Sequence, residues 1–290
     1  MTTLHGEQAL AALRNAAGDQ ALVSLHGAQL LSWQPAGAGE QIYHSPISQP
    51  GPGVAVRGGV PICFPQFSER GPLPKHGFAR TRRWVLVAPP VPGAAVAEAR
   101  FQLDSAMTRT LWDHAFCLVL VVRLGPKWLE LELQVANTGR TAWAFTGALH
   151  TYLQVDDVRD ARILGLFGLS YEDMAQANAV RTETEPALAI AGEVDRVYRG
   201  ITQPLQLAGG GGSDRRVVQQ GFEDTVVWNP GPYKAARLGD MPPADWHHMV
   251  CIEAAVVRHP QEVAPGKTWR GWQRVELPQA PGFDPAQASG

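Results

Sequence analysis

The sequence predicts an all-β protein, a large sandwich or barrel. Three observations predict it: strand-length apolar alternation recurs along the chain, turn residues punctuate it at short intervals, and helical periodicity is scarce. Among the 290 residues, 30 are glycine and 23 proline, and 18% are charged, less than the ~25% of ordinary domains. A chain of this length can bury roughly three quarters of its unfolded surface, so the composition describes a large core joined by tight turns.

The elements follow in order. Residues 7–17, "EQALAALRNAA", carry good helical propensity in Ala and Leu, and a short helix is expected there. Strands are then expected in "ALVSLHGAQLLSWQ", "EQIYHS", "RRWVLVA" and "AEARFQL", most bounded by Gly, Pro, Asn or Asp. "AFCLVLVVRL" and "WLELELQV" flank Gly125-Pro126-Lys127 and should form an antiparallel hairpin. The second of them alternates apolar and polar side chains, as a strand with one wet face does. "TAWAFTGALHTYLQV", "ARILGLF", "QPLQLA", "RRVVQQ", "DTVVWN", "HHMVCIEAAVV" and "KTWRGWQRVEL" complete the strands. "PPADWHHM" suits one proline-opened helical turn. Nothing supplies the helical crossovers a parallel sheet needs. The glycine run around Gly210 is a loop without the order or context of a dinucleotide site. One domain is expected over residues 1–290, with its core at about 21–277 and a flexible tail at 278–290.

Charge and motifs exclude several functions. A formal net charge of −2 argues against a nucleic-acid binder, which usually carries a basic excess; any bound anion is expected to be small. Cys63, Cys117 and Cys251 have neither paired nor metal-ligand spacing, which suits a reducing compartment and predicts no metal. The N-terminus lacks the pattern of a signal peptide, and the apolar run from Ala115 is far shorter than the ~20 residues of a membrane span. A cytoplasmic monomer without nucleic-acid or membrane partners is expected. The signatures of serine hydrolases, P-loop enzymes and zincins are absent.

What remains is a set of polar residues in apolar surroundings. His150 interrupts "TGALHTYLQV" and Glu253 interrupts "MVCIEAAVV". Glu253 is either on the wet face of an edge strand or a buried carboxylate in need of a partner. His150 is either a hydrogen-bonded core imidazole, an exposed strand residue, or half of an acid–base pair with Glu253, which could move protons both ways near neutrality. Between Arg57 and Arg80, "RGGVPICFPQFSERGPLPKHGFAR" gathers Arg57, Arg70, Lys75, His76 and Arg80 among glycines and prolines. It is either a solvated loop or an anion cradle. Asp156-Asp157 and His247-His248 suit solvated turns, because neighbours on a strand point to opposite faces. Trp33, Trp84, Trp228 and Trp269 suit core anchors.

Taken together, "GAQLLSW", "RGGVPICFPQF", "KHGFAR", "ALHTYLQV", "GEVDRVY", "DTVVWNP" and "MVCIEAAVV" resemble, in type and order, the glucose-6-phosphate 1-epimerase family, hexose-6-phosphate mutarotases related to aldose 1-epimerase. The resemblance runs from about Ala21 to Leu277. It implies a large antiparallel β-sandwich of the galactose mutarotase-like supersandwich type, with the sugar in an open cleft on a concave sheet face. By that resemblance His150 and Glu253 are the catalytic pair, and Arg57, Lys75, Arg80 and Asp195 contact substrate and its phosphate. His76 and Asp224 lie in motif segments near the site. The implied reaction is cofactor-independent exchange of the α and β anomers of a hexose 6-phosphate, with an unphosphorylated aldose or a non-catalytic sugar-phosphate sandwich as alternatives. Ser68 and Gly231 stand where glycine and an aromatic are expected, and Arg70 is left as the solvated residue.

Overall fold

The computed structural model describes residues 2–5, 8–49, 51, 53–212 and 214–278. The expected tail from residue 279 onward lies outside the described residues. The named strands form three sheets, of four, eight and nine strands, and every pairing between them is antiparallel. No helix is long and apolar enough to cross a membrane.

The nine-stranded sheet contains the hairpin expected from sequence. Phe116–Gly125 pairs with Trp128–Asn137, with Gly125 opposite Trp128, so the chain reverses through Pro126 and Lys127, the latter at φ +58°. Thr268–Glu276 lies along the far side of Trp128–Asn137. These strands bury one face and leave the other wet: Leu129, Leu131, Leu133 and Val135 are buried, while Arg123 on the outer face bonds Glu98, Glu130 and Glu132 at 2.7–2.8 Å.

The eight-stranded sheet behaves differently. Its central strand Met249–Val263 lies between Asp224–Asn229 and Trp143–Leu149. Met249 to Val257 and the whole of Asp224–Asn229 are buried, so both faces are covered. One face packs on the nine-stranded sheet. Across that seam Thr151 Oγ1 donates to Gln273 Oε1 at 2.5 Å, and Gln273 Nε2 donates to the Ile252 carbonyl at 3.0 Å. The side chains of both sheets form one continuous hydrophobic core, each fully buried aliphatic side chain contributing about 1.5–3 kcal/mol. The other face carries the functional cleft.

Residues 7–17 contradict the helix expectation. Gln8–Arg14 is a strand pairing with Gln20–Ser24, and Leu13 is buried while Ala12 and Arg14 are exposed. Local Ala propensity is worth tenths of a kcal/mol per residue, and burial of Leu10, Ala11 and Leu13 outweighs it. The core therefore begins before the expected boundary at Ala21. "EQIYHS" is reduced to isolated bridges at Ile42 and His44, and the proline-opened turn is the 3₁₀ helix Pro243–His248.

Trp143–Leu149, which delivers His150, is pinched between Met249–Val263 and Ile62–Cys63. A Cβ at Gly147 would lie 2.5 Å from the Cys63 carbonyl oxygen, closer than real Cβ contacts allow. Gly147→Ala is therefore expected to destabilise the protein by about 1–3 kcal/mol, measured by urea denaturation; an unchanged midpoint would contradict this packing.

Candidate active site

Strand register assembles the cleft face. Directly opposite residues share a face, and alternate residues along a strand return to it. Asp195 lies opposite Trp228, Trp228 opposite Cys251, and Cys251 opposite Tyr152. One step along, Val226 lies opposite Glu253. Leu149 lies opposite Ala254, so His150, the next residue, comes level with Glu253. Two segments distant in sequence thus deliver His150 and Glu253 to one place.

The pair is almost wholly dry. Glu253 is 1% exposed and His150 7%. His150 Nδ1 lies 3.4 Å from Glu253 Oε1. That is an electrostatic contact rather than a formed hydrogen bond, which leaves Nδ1 and Oε2 as buried atoms without hydrogen-bond partners. The ring is held by stacking on Tyr152 at 4.7 Å and by the edge contacts of Trp228 and His76. Burial drives the His150 pKa well below its ordinary value, and Arg80 and Arg57 push the same way. Burial raises Glu253 well above the carboxylate range, and Asp195 adds to it. Both groups are pushed toward their neutral forms, His150 toward the imidazole and Glu253 toward the carboxylic acid.

The segment from Arg57 to Arg80 forms one wall. His76 adopts φ +63° and Gly77 φ +70°; a Cβ at Gly77 would meet the Phe64 carbonyl at 2.1 Å, so only glycine permits this close turn. The Ser68 N–H donates to His76 Nδ1 at 3.2 Å, which makes Nδ1 the acceptor and places the ring proton on Nε2. Burial, reinforced by His150 and Arg80, holds this imidazole unprotonated. Arg80 Nη2 donates to the Lys75 carbonyl, and among the described residues neither Lys75 nor Arg80 has an acidic partner. Arg57 does: its Nη2 lies 3.1 Å from Asp240.

Arg57, Lys75, His76, Arg80, His150, Asp195 and Glu253 all line one cleft of about 300 Å³. Asp224 is not brought there. Its Oδ2 accepts the backbone N–H groups of Val257 and Arg258 at 2.9 and 3.0 Å, so this carboxylate secures the central strand and does not reach the cleft. Arg70 also departs from expectation: it pairs with Glu172 on the strand Ser170–Asp173 and ties the loop to the sheet. Sequence reasoning missed Lys234, 2.8 Å from Glu193 and 3.7 Å from Asp195. It also missed Tyr152 and Asp240; Trp228 is buried in the core as expected and also lines the cleft. Trp33 and Trp84 are core anchors, both fully buried. A larger hollow of about 560 Å³ beside Trp128 and Arg215 contains no buried acid–base pair.

His150, Cys251 and Glu253 offer ligand atoms within 4.8 Å of one another. Burial holds the Cys251 thiol protonated, with Glu253 reinforcing it. A metal there would have to displace that proton. The arrangement suits proton transfer better than ligation.

The family model described as Aldose 1-epimerase matches residues 10–276. A "Putative glucose-6-phosphate 1-epimerase" of Cenchrus ciliaris is 34% identical over 280 residues, covering 93% of this chain and 84% of the relative. A protein of the same description from Escherichia coli K12 is 34% identical over 253 residues, 86% of this chain and 83% of the relative. The crystal structure of a "putative mutarotase" from Salmonella typhimurium superposes with a TM-score of 0.86 at 31% identity, covering 94% of this chain and 91% of that one. The chain belongs to the aldose 1-epimerase family, whose sandwich fold it shares.

Asp195 provides a test of the cleft's electrostatics. Burial raises its pKa to about 6, against the opposing pull of Lys234. A carboxyl raised above its unfolded value of about 3.9 contributes stability that is full below that value and lost as pH rises through 6. Asp195→Asn should therefore raise the Tm at pH 7.5 by a few degrees, a gain that fades toward pH 4; scanning calorimetry across that range checks it, and a pH-independent change would contradict it.

Proposed function

We propose that this member of the aldose 1-epimerase family interconverts the α and β anomers of a hexose 6-phosphate, glucose 6-phosphate foremost, by acid–base ring opening and reclosure. The observation that carries the reading is the buried His150–Glu253 pair in a cleft whose other wall holds two cations, Lys75 and Arg80, without acidic partners among the described residues. A neutral sugar has no use for two unpaired cations, whereas a phosphate suits them. The names of the relatives agree with it.

The chemistry needs one proton on the pair. Glu253 as the carboxylate takes the proton of the anomeric hydroxyl, and His150 as the imidazolium gives its proton to the ring oxygen. The electron pair left on the anomeric oxygen forms the aldehyde as the bond from C1 to the ring oxygen breaks. Rotation about C1–C2 and reclosure with the transfers reversed gives the other anomer. Without substrate, burial favours the proton on Glu253, and Arg80 and Arg57 oppose a charged His150, while Arg80 alone among them also favours the Glu253 carboxylate. A bound phosphate dianion offsets Arg80, Arg57 and Lys75 and so favours transfer of that proton to His150. The phosphate thus prepares the acid as well as anchoring the sugar, the kind of remote binding energy that raises turnover.

Exchange spectroscopy on glucose 6-phosphate tests this directly: purified protein should speed anomer exchange above the buffer rate, and no acceleration would overturn it. Glu253→Gln and His150→Ala should each lower kcat by about 10²–10⁴-fold while folded structure persists by circular dichroism. Lys75→Ala should raise KM for glucose 6-phosphate and leave the slower exchange of glucose unchanged; equal effects on both sugars would remove the phosphate from the reading.

A further inference from the structure

Arg57 is unlike the other cations of the cleft. Its Nε–H donates to both oxygens of Asp240 at 3.2 Å, Nη2 lies 3.1 Å from Oδ2, and Nη1 donates to the Tyr152 hydroxyl at 3.0 Å. The guanidinium is therefore gripped along one edge and at one tip, and it lies 5.9 Å over the Trp228 ring. Each terminal nitrogen carries two hydrogens, so each keeps at least one N–H for a ligand in the cleft that Arg57 lines. An arginine on a free side chain would sample many rotamers and lose that freedom on binding. Here the fork is already set.

We propose that Asp240 is a positioning residue for substrate: it fixes the Arg57 guanidinium so that the free N–H groups are presented to the sugar phosphate. This rests on reading the cleft as a hexose-phosphate site. The division of labour follows from charge. The Arg57–Asp240 unit is close to neutral and supplies direction, while Lys75 and Arg80 supply net positive charge. Asp240 suits the role because its loop does not depend on its carboxylate. The Ser45 Oγ donates to the Asp240 carbonyl at 2.7 Å, and the Ser45 N–H donates to the Arg57 carbonyl at 3.1 Å. One buried serine thus ties both backbones, and replacing the carboxylate leaves that link intact.

The alternative is that Asp240 merely masks positive charge, and the two readings predict opposite signs. Under positioning, Asp240→Asn should raise KM for glucose 6-phosphate about tenfold, the scale of one charge-assisted hydrogen bond, with kcat nearly kept. Under masking, the same change frees a cation and lowers KM. A double-mutant cycle with Arg57→Lys, read as the Kd of inorganic phosphate by calorimetry, separates the pair from catalysis. Asp240→Asn should weaken phosphate binding in the wild-type background and do little once Arg57 is lysine. The Arg57 Nε–H resonance, slow to exchange in the wild type, should broaden or vanish in Asp240→Asn. Additive effects in the cycle, or a lowered or unchanged phosphate Kd in Asp240→Asn, overturn the proposal. Absent anomer exchange by the wild type would defeat the mutarotase reading instead, while the phosphate cycle would still decide the role of Asp240.

Discussion

The strand Met249–Val263 is covered on both faces over its first half, and Glu253 sits in that half. A carboxylate so placed loses several kcal/mol of solvation, and no cation makes a salt bridge to it among the described residues. Its neighbour is His150, itself too buried to charge freely. Burial pushes each group toward its neutral form, and the sandwich sustains this because the two strands are locked by register and by the seam to the nine-stranded sheet.

Around that pair the charges are sorted. Arg57 is matched by Asp240 and Asp195 by Lys234, so both are fixed in direction and moderated in charge. Among the described residues Lys75 and Arg80 have no such match. The cleft therefore has an oriented, nearly neutral floor of aromatic and paired polar groups and a cationic wall on one side. A sugar ring suits the former and a phosphate the latter. His76, with its proton held on Nε2 by the Ser68 amide, adds a fixed neutral donor between them.

Much of this was legible in the sequence, for physical reasons. The hairpin at residues 116–137 declared itself because one face is wet, so apolar and polar residues alternate. His150 and Glu253 stood out because the segments around them are otherwise apolar. The rest depended on contacts between distant segments. Lys234 and Asp240 matter through partners 39 and 183 residues away, and Tyr152, besides stacking on the nearby His150, meets Arg57 across 95; no local pattern marks these long-range contacts. Asp224 looked like a site acid because a carboxylate that caps backbone amides of a neighbouring strand reads the same in sequence as one that meets a ligand. The strand at Gln8–Arg14 read as a helix because alanine favours helices until a neighbouring strand offers pairing and burial. The short strands Ser170–Asp173, Ala179–Thr182 and Ala187–Ala189 leave too few residues for alternation to register.

The central claim is that burial keeps the proton of the empty pair on Glu253. Difference infrared spectroscopy of the unliganded protein against Glu253→Gln measures this directly. At pH 7 the wild type should show the carbonyl stretch of a protonated carboxylic acid that the variant lacks, and the band should persist well above the ordinary carboxylate pKa. A carboxylate band in its place, titrating near pH 4, would contradict the account.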